Sequence, residues 1–462
     1  MANDLIQQST DFNINELSIL SKGGRKIDVR EMFEELNLYD SILTPVRSGN
    51  ILIRDTQGLS EILSFDGTEY LVVNIEKNDN SPLQFTAAFR IYKQSLRQKE
   101  NETSESYILH FVADEYVYSS QQRINQTYEG TYADAVVAIL TDYLKIPLTE
   151  FRGKFDLSYG VRNFVIPNLT PLEAIDWCAK RAIDENGAPA FVFFQNQFGF
   201  NFCSLSSIAK QNPTFKINYN VKNLTDDVGD EILGARGYKI LNQFDFLKNT
   251  SAGVYSGTFI GFDPITRTVS KGTQSFLDIY GKMKHSNQQP NLSADKNREG
   301  KFNFEMTDSR KSVYSFAEAQ KYSSYVKQRD PTSISKINDS HNYILQRKSI
   351  LESYMNKRIR VLMPGNFGLT SGFNVNMKFP ARTEKNEQRE DLDSTLNGNY
   401  SIIATRHIIK YNIHETVIDV ASDSSQKQVA ARLETVDTGR IIYTWCKMIL
   451  LAWMVLFGGL VS

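Results

Sequence analysis

The sequence predicts an α+β fold in which two small β-barrels are joined by an α+β domain and a partly helical insertion, followed by an apolar C-terminal helix. Alternating apolar and polar residues with glycine-punctuated turns occur towards both ends of the chain, and apolar stripes of helical period occupy the middle. The predicted domains are a first β-barrel (1–120), an α+β domain (121–206), a second β-barrel (207–250 and 357–425), an inserted, partly helical domain (251–356) and an apolar tail (426–462).

Length and composition limit the classes of protein to which the chain can belong. A chain of 462 residues exceeds one ordinary core, so two to four domains are expected. The 52 basic side chains nearly balance the 53 acidic ones, which removes any general electrostatic case for nucleic-acid binding. Three widely spaced cysteines argue against a disulfide scaffold and favour assembly in a reducing cytoplasm. The first residues have neither a basic region nor an apolar core, so no signal peptide is expected.

The first predicted barrel consists of short strands. Gly58 and Gly67 are predicted turns between them. Met32–Leu38 is predicted to form one or two helical turns, and the polar stretch Gln94–Ser106 is predicted to be a solvated loop. The strand-like runs are Gly49–Asp55, Tyr70–Ile75, Leu83–Tyr92 and Tyr107–Tyr118.

Helical signals follow in the second domain. Apolar residues between Tyr132 and Leu144 recur at helical spacing, and Pro147 ends that helix. Thr170-Pro171-Leu172-Glu173 is a capping box with proline at the first helical position. Ala190–Phe194 and Phe198–Ser204 then predict a β-hairpin with a three-residue loop.

The insertion mixes both patterns. Gly253–Ser270 contains strand-like runs broken at Asp263-Pro264, whereas Gly281–Phe302 is polar and predicts an exposed loop. Partial apolar faces predict helices at Ser315–Lys327 and Ser335–Asn356. Strands resume at Ile359, and a final hairpin joins Tyr400–Ile409 to Asn412–Ala421.

The second barrel is most evident between Val361 and Pro380. Gly365, Gly368 and Gly372 lie where a strand must turn sharply, and Pro380 ends the strand that follows because it cannot donate to a sheet. Both predicted barrels contain a Gly-Asn pair, although no clear internal repeat is visible. The candidate turn and assembly residues are Gly49, Asn50, Gly58, Gly67, Gly365, Asn366, Gly372 and Pro380.

Several of these patterns, in this order, resemble one protein family. Gly365–Pro380 follows the pattern G-N-x-x-L-x-x-G-x-x-V-x-x-x-x-P, which resembles the barrels of the baseplate central hub proteins of contractile-tailed bacteriophages. Gly49–Leu59 resembles that family's first barrel, and Thr170–Ser204 resembles its second domain. Ser256–Arg267 and Tyr400–Ser422 are similar to its D-x-x-T-R stretch and its last hairpin. The resemblance covers most of the chain.

The resemblance implies a structural virion protein without enzymatic activity or cofactor. It implies a homotrimer that joins a six-fold tail tube to a three-fold central spike, so that the tail-tube protein and the spike protein are its partners and DNA passes through its lumen. It places the protein in the tail baseplate, assembled in the host cytoplasm. Two alternatives stay open: a tail-associated peptidoglycan hydrolase, and the spike hub of a bacterial contractile secretion system, which a long β-helical extension would favour.

Candidate chemistry is weak. His407 and His414 could meet across the last hairpin, but no third metal ligand is evident, so no metal site is predicted. Cys178 and Cys203 lie in apolar settings that predict buried structural thiols. Paired acids can hydrolyse glycosides, yet adjacent acids usually form a solvated surface. The acids in question are Asp28, Glu31, Glu34 and Glu35.

The C-terminal tail departs from the family pattern. Met448–Val461 has no charged residue, and the apolar character begins at Ile441. A span of that length is marginal for crossing a bilayer. Three interpretations stay open for its apolar side chains: packing within the assembly, a transmembrane anchor that makes a transient contact with the host membrane, and an extension with no function in the fold. The most prominent of these side chains are Trp445, Trp453 and Phe457.

Overall fold

The computed structural model describes residues 12–77, 84–147, 153–219, 232–263, 267–290, 312–317, 340–380, 393 and 395–426. All of them belong to one compact unit, Met1–Gln426. The predicted apolar tail, including Trp445, Trp453 and Phe457, lies outside the described residues. No helix in the described part of the chain is long and apolar enough to span a bilayer.

The N-terminal segment is almost entirely strand. Met32–Leu38 was predicted to be helical, and this is wrong: the segment enters a strand at Phe33 whose two edges are both paired. The prediction of a loop at Gln94–Ser106 is wrong for most of its length, because one strand continues to Lys99 and the next begins at Glu105. The elements are β1 (Phe12–Leu20), β2 (Lys26–Asp28), β3 (Phe33–Ser41), β4 (Ser48–Asp55), α1 (Leu59–Leu63), β5 (Tyr70–Lys77), β6 (Phe85–Lys99) and β7 (Glu105–Val112).

The next segment packs helices against a hairpin. The predicted capping box at Thr170–Glu173 is confirmed, and a second one begins the preceding helix at Thr131. The predicted hairpin is present, with a loop of two residues instead of three because Asn196 pairs with Gly199. The elements are α2 (Asp114–Ser120), β8 (Thr127–Gly130), α3 (Tyr132–Asp142), β9 (Arg162–Val165), α4 (Pro171–Arg181), β10 (Phe191–Asn196), β11 (Gly199–Ser204) and α5 (Leu205–Ala209).

Three short strands and an insertion follow. The helix predicted at Ser315–Lys327 is wrong for its first residues, which belong to a strand paired in parallel with Gly257–Phe262, and its remainder lies outside the described residues. The elements are β12 (Phe215–Asn218), β13 (Ile232–Gly234), β14 (Gly237–Asn242), α6 (Phe246–Ala252), β15 (Ser256–Asp263), β16 (Thr268–Ser275), α7 (Phe276–Tyr280), β17 (Gln289–Pro290), β18 (Ser312–Ala317) and α8 (Ser340–Asn356).

The last segment returns to strand. Its two longest strands form the predicted final hairpin, with Lys410 opposite Ile413. The region predicted as an exposed loop contributes β17, which pairs with the last strand of the segment. The elements are β19 (Arg358–Pro364), β20 (Asn374–Lys378), β21 (Gly398–Lys410), β22 (Ile413–Ala421) and β23 (Ser424–Ser425).

The strands of the first and last segments close into two rings. In ring 1, β1 pairs with β2, β3 with β4, β4 with β7, β7 with β6, β6 with β5, and β5 with β1. Ring 2 has the corresponding order β12, β13, β14, β19, β22, β21, β20 and back to β12. β2 and β3 act as one bent segment, as do β13 and β14. Each ring therefore has six strand segments connected in the same order along the chain.

Ring 2 is closed where β13 bends into β14. The backbone N–H of Ala235 donates to the carbonyl oxygen of Asn218 in β12 at 3.0 Å, and the backbone N–H of Arg236 donates to the carbonyl oxygen of Leu362 in β19 at 2.8 Å. One strand differs in direction between the rings: β1 is antiparallel to both of its neighbours, whereas β12 is parallel to both of its own.

Each ring encloses apolar side chains. The core of ring 2 is a separate cluster of buried residues that includes Val361, Met377 and Phe379. The core of ring 1 is continuous with that of the helices behind it, since Phe111 and Ile175 belong to one cluster of buried residues.

Candidate assembly site: the seam between the rings

Among the residues that the structure describes, one strand pairing joins the two rings, and we call it the seam. β3 of ring 1 pairs antiparallel with the second half of β21 of ring 2, from Ser41 opposite Ala404 to Leu36 opposite Ile409. The seam makes the strands of both rings members of one 14-stranded sheet. Backbone hydrogen bonds of this kind are directional and fix how one ring is placed beside the other.

Charged side chains line one face of the seam. The guanidinium of Arg406 donates to Asn37 Oδ1 at 2.9 Å and to Glu35 Oε1 at 3.3 Å. Lys410 Nζ lies 3.4 Å from Glu35 Oε2. Burial alone would raise the pKa of Glu35, but the hydrogen bond from Asn37 and the charges of Lys410 and Arg406 lower it overall. This network links strands of both rings through side chains as well as backbone.

Asp40 forms a buried, hydrogen-bonded contact between the rings. Its carboxylate accepts a hydrogen bond from the Thr370 hydroxyl at 2.8 Å and another from the backbone N–H of Ser371 at 3.0 Å. Burial raises the pKa of Asp40, and these two bonds and the charge of Arg47 oppose that rise. Burial lowers the pKa of Arg47, whose guanidinium lies 5.5 Å from the centre of the Phe85 ring. Asp40 thus ties β3 to the loop that precedes β20.

His407 and His414 do meet across the last hairpin, as the sequence suggested that they could. His407 Nδ1 lies 3.3 Å from His414 Nε2 and 3.0 Å from the Thr416 hydroxyl. The Phe367 ring packs against both imidazoles, and Phe12 of ring 1 meets His414 edge to face. No group of three or more His, Cys, Asp or Glu within the described ranges could hold a metal ion. Both histidines belong to ring 2, and the contact of His414 with Phe12 is a packing contact between the rings.

This burial predicts acid sensitivity. Burial lowers the pKa of His407 to about 3, and it lowers the pKa of His414 well below its ordinary value, with the charge of His407 adding to the effect. The unfolded chain therefore binds protons on both histidines below about pH 6.5 while the folded chain does not. The stability that the two neutral histidines contribute is fully present above that pH. As the pH decreases, the free energy of unfolding falls by about 1.4 kcal/mol per pH unit for each histidine.

The check is the midpoint of urea unfolding between pH 5 and pH 8 for the full chain and for a His407→Gln/His414→Gln variant. Asp40 and Arg47 share a small cavity with His407 and are unchanged in the variant, so the difference between the two slopes isolates the histidines. We expect the wild-type midpoint to fall below pH 6.5 more steeply than that of the variant. Equal slopes would contradict the assignment.

Gly49 and Asn50 lie inside β4 and not in a turn, so that part of the prediction is wrong. A Cβ atom at Gly49 would lie 2.2 Å from the carbonyl oxygen of Asn37 and 2.4 Å from the Phe111 ring. Asn50 Oδ1 accepts a hydrogen bond from Asn37 Nδ2 at 2.9 Å. Glycine is required at position 49 by the close approach of β3 and of an aromatic ring. Gly49 is the second residue of β4, whereas Gly365 follows the last residue of β19, the corresponding strand of ring 2, so the two Gly-Asn pairs are not equivalent.

The other candidate residues do lie in connections. Gly58 and Gly67 flank α1 and β5, whereas Pro380 is exposed just after β20. The N–H of Gly365 donates to the carbonyl oxygen of His414 at 2.8 Å, and Asn366 Oδ1 accepts a hydrogen bond from the backbone N–H of Gly368 at 2.8 Å. Gly372 has φ +85°, and its Cβ position lies 2.5 Å from the Phe194 ring. Gly365, Asn366 and Gly372 therefore shape the loop that Asp40 holds.

The described residues contain no catalytic arrangement that the sequence left open. Cys178 and Cys203 are buried, and burial raises the pKa of both thiols, that of Cys178 to about 12. The N-terminal acids are dispersed: Asp28 ends β2 and is paired with Arg30 at 2.6 Å, Glu35 belongs to the seam, and Glu31 and Glu34 are exposed. Asp28 and Glu35 act as ion-pair partners.

A cavity beside α4 also offers no unused acid. It has a volume of about 540 Å³ and lies between α2, α4 and α8. Of its two carboxylates, Glu173 completes the capping box of α4 and Asp176 is paired with Lys180 at 2.5 Å. Both carboxylates stabilise α4.

The sequence patterns did not predict Asp40 and Arg406 of the seam, or Arg47 beside Asp40, as site residues. One signal was available for Asp40, because Leu36, Leu38 and Asp40 share a face of a strand and the first two are buried. An acid on the inward face of an apolar strand indicates a buried partner. The partner itself lies more than three hundred residues away and leaves no local signal.

Comparison with known proteins gives matches among solved structures. No protein-family model and no curated protein sequence matches the chain. The structure is similar to a tail protein from Neisseria meningitidis MC58, with 11% identity, a TM-score of 0.49, and coverage of 88% of this chain and 96% of that one. It is also similar to the 43 kDa tail protein of prophage MuSo2 from Shewanella oneidensis, with 9% identity, a TM-score of 0.48, and coverage of 88% and 98%.

A third similar structure comes from a secretion system. It is an Escherichia coli component of the type VI secretion system, described as structurally similar to tail proteins of bacteriophage T4. It has 8% identity and a TM-score of 0.42, and the match covers 91% of this chain and 80% of that one. The three similar structures are thus two tail proteins and one secretion-system component.

Proposed function

We propose that this chain is a structural virion protein, the central hub of a phage baseplate, which acts as a homotrimer and joins a six-fold tail tube to a three-fold central spike. One observation carries the proposal: the chain contains two rings of six strand segments with the same connection order, fixed side by side by the seam. Three copies in a cyclic arrangement present six such rings. That arrangement matches a hexagonal partner on one face and a three-fold partner on the other.

The charge balance supports a conduit. Basic and acidic side chains number 52 and 53, so the chain as a whole has no excess of positive charge to retain a passing nucleic acid. The proposed partners are therefore the tail-tube protein, the spike protein and two further copies of this chain, with DNA crossing the lumen unbound. Assembly takes place in the host cytoplasm, where Cys178 and Cys203 stay as buried thiols.

The two alternatives predict different behaviour. A tail-associated hydrolase needs a pair of available carboxylates, and two of the four acids that suggested it, Asp28 and Glu35, are engaged in ion pairs. A peptidoglycan zymogram separates that alternative from the proposal. A secretion-system spike hub would use the same rings and the same trimer, so it differs in partners and not in the geometry argued here.

The mass of the full chain in solution tests the trimer. We expect native mass spectrometry in mild detergent to give about 158 kDa, three times the 52.7 kDa of one chain. The detergent covers the apolar tail, and a variant that ends at Gln426 serves as a control for association through that tail. A stable monomer or dimer of the full chain at micromolar concentration would contradict the proposed function.

A further inference from the structure

The seam has an unused counterpart on each copy of the chain. The seam itself is formed by the bent segment of ring 1 (β3) and by the second half of β21, which is the fifth strand segment of ring 2 in chain order. The same positions in the other ring are the bent segment of ring 2 (β14) and the second half of the fifth strand of ring 1 (β6). If the rings repeat around an axis, these two elements are the ones that must meet between copies.

The equivalence of the two fifth strands rests on matching irregularities. The pairing of β6 with β7 shifts register after Ile91, and that of β21 with β22 shifts after Ile402. The N–H of Ile91 donates to the carbonyl oxygen just before β5, and the N–H of Ile402 donates to the carbonyl oxygen just before β20, at 2.9 and 2.8 Å. Ile91 and Ile402 therefore occupy the same place in their rings.

The corresponding edges are open among the described residues. β5 pairs with β6 only as far as Arg90, and from Ile91 to Lys99 β6 pairs only with β7. β14 pairs only with β19. The edge of β21 in ring 2 is equivalent to the open edge of β6. That edge of β21 is covered by β3, and this pairing is the seam. Unpaired strand edges are ready templates for another strand.

Apolar side chains are exposed on these two edges. Tyr92 and Leu96 of β6 are 54% and 68% exposed, and Ile240 of β14 is 37% exposed. Exposed apolar side chains along an open strand edge favour association, and soluble proteins usually protect such edges with charge or cover. The edges also carry charged side chains, Lys93, Arg97 and Lys99 on β6 and Lys239 on β14. The case for pairing therefore rests on the equivalence of these edges to the seam together with the exposed apolar side chains.

We propose that β14 of one copy pairs antiparallel with Ile91–Lys99 of β6 in the neighbouring copy, repeating the seam between chains. The occupant of each open edge is thus a second copy of this chain. Each copy offers one edge of each kind, so the contact is head-to-tail and closes into a ring if the rotation per copy allows it. Closure at three copies rests on the proposed function, whereas the pairing itself does not.

The seam also gives the register of the pairing. Leu38 lies opposite His407 in the seam. Leu38 corresponds to Ile240, and His407 corresponds to Leu96 and Arg97, which form a bulge because the pairing of β6 with β7 shifts between Ser95 and Gln98. The proposed pairing therefore places Ile240 opposite the bulge that exposes Leu96. It brings Lys239 opposite Gln98.

Disulfide cross-linking tests this register. A Leu96→Cys/Ile240→Cys variant of the full chain, with the tail thiol removed by Cys446→Ser, is oxidised mildly and run on a denaturing, non-reducing gel. We expect covalent dimers and trimers that disappear on reduction, and none from either single-cysteine variant. The matched control is Leu157→Cys/Ile240→Cys, because Leu157 is 77% exposed and lies outside both rings.

A charge exchange tests the same contact without oxidation. Leu96→Asp and Ile240→Asp together place two carboxylates opposite each other and should weaken association by about tenfold or more, whereas Leu96→Asp with Ile240→Lys should restore it. A native trimer with no cross-link and no effect of charge would overturn the proposed pairing and leave the trimer intact. Cross-linked species that continue beyond three copies would support the pairing and contradict closure at three. A chain that remains monomeric would contradict both.

Discussion

Replacing Gly49 with alanine is expected to lower the free energy of unfolding by about 3 kcal/mol or more, the upper range for overpacking in a core. The added methyl group would lie 2.2 Å from the backbone carbonyl oxygen of Asn37 and 2.4 Å from the Phe111 ring. A backbone atom of a strand paired on both edges cannot move away without breaking its pairing. The clash therefore disturbs β3, which carries ring 1's half of the seam.

The matched control is Gly272→Ala in β16, where nothing lies within 4 Å of the added Cβ atom. Urea unfolding of the full chain, followed by intrinsic fluorescence, measures both variants. We expect the control to stay within about 0.5 kcal/mol of the wild type, as surface substitutions usually do. Equal stability of Gly49→Ala and Gly272→Ala would contradict the close approach at Gly49.

Replacing Asp40 with alanine is expected to cost about 3 kcal/mol, because the change leaves the buried Arg47 without its nearest opposing charge and leaves two donors unpaired. Those donors are the Thr370 hydroxyl and the backbone N–H of Ser371. The loss should be local as well as global. Amide hydrogen exchange at Ser371 should accelerate in the variant well before the whole chain unfolds.

Asp40→Asn is the informative comparison. The asparagine keeps one oxygen that can accept a hydrogen bond from Thr370 or Ser371, and it removes the charge that faces Arg47. We therefore expect Asp40→Asn to be less destabilising than Asp40→Ala and still less stable than the wild type. An unchanged rate of amide hydrogen exchange at Ser371 in both variants would show that Asp40 does not hold the two rings together.

Local patterns predicted the elements whose stability is local. The capping box at Thr170 and the alternation in β22 each depend on residues within a few positions of one another, and both are present in the structure. Patterns failed where tertiary pairing overrides composition. Gln94–Lys99 is polar because it is a strand edge facing outwards, and polarity alone suggested a loop.

The seam could not be predicted because its determinants are distant in the chain. Glu35 and Arg406 come together only through a strand pairing that joins the two ends of the fold. A Gly-Asn pair near each end suggested equivalent turns, but Gly49 lies within a strand and Gly365 follows one. What repeats between the rings is the connection order and the position of a register shift, and neither requires similar residues.

Electron cryo-microscopy of the full chain, viewed along the axis of its assembled particle, tests the central claim most directly. The account predicts six ring-shaped densities around an open lumen, related as three pairs, because each copy contributes ring 1 and ring 2. A particle with three copies but only three ring densities around its lumen, or with no lumen at all, would contradict it.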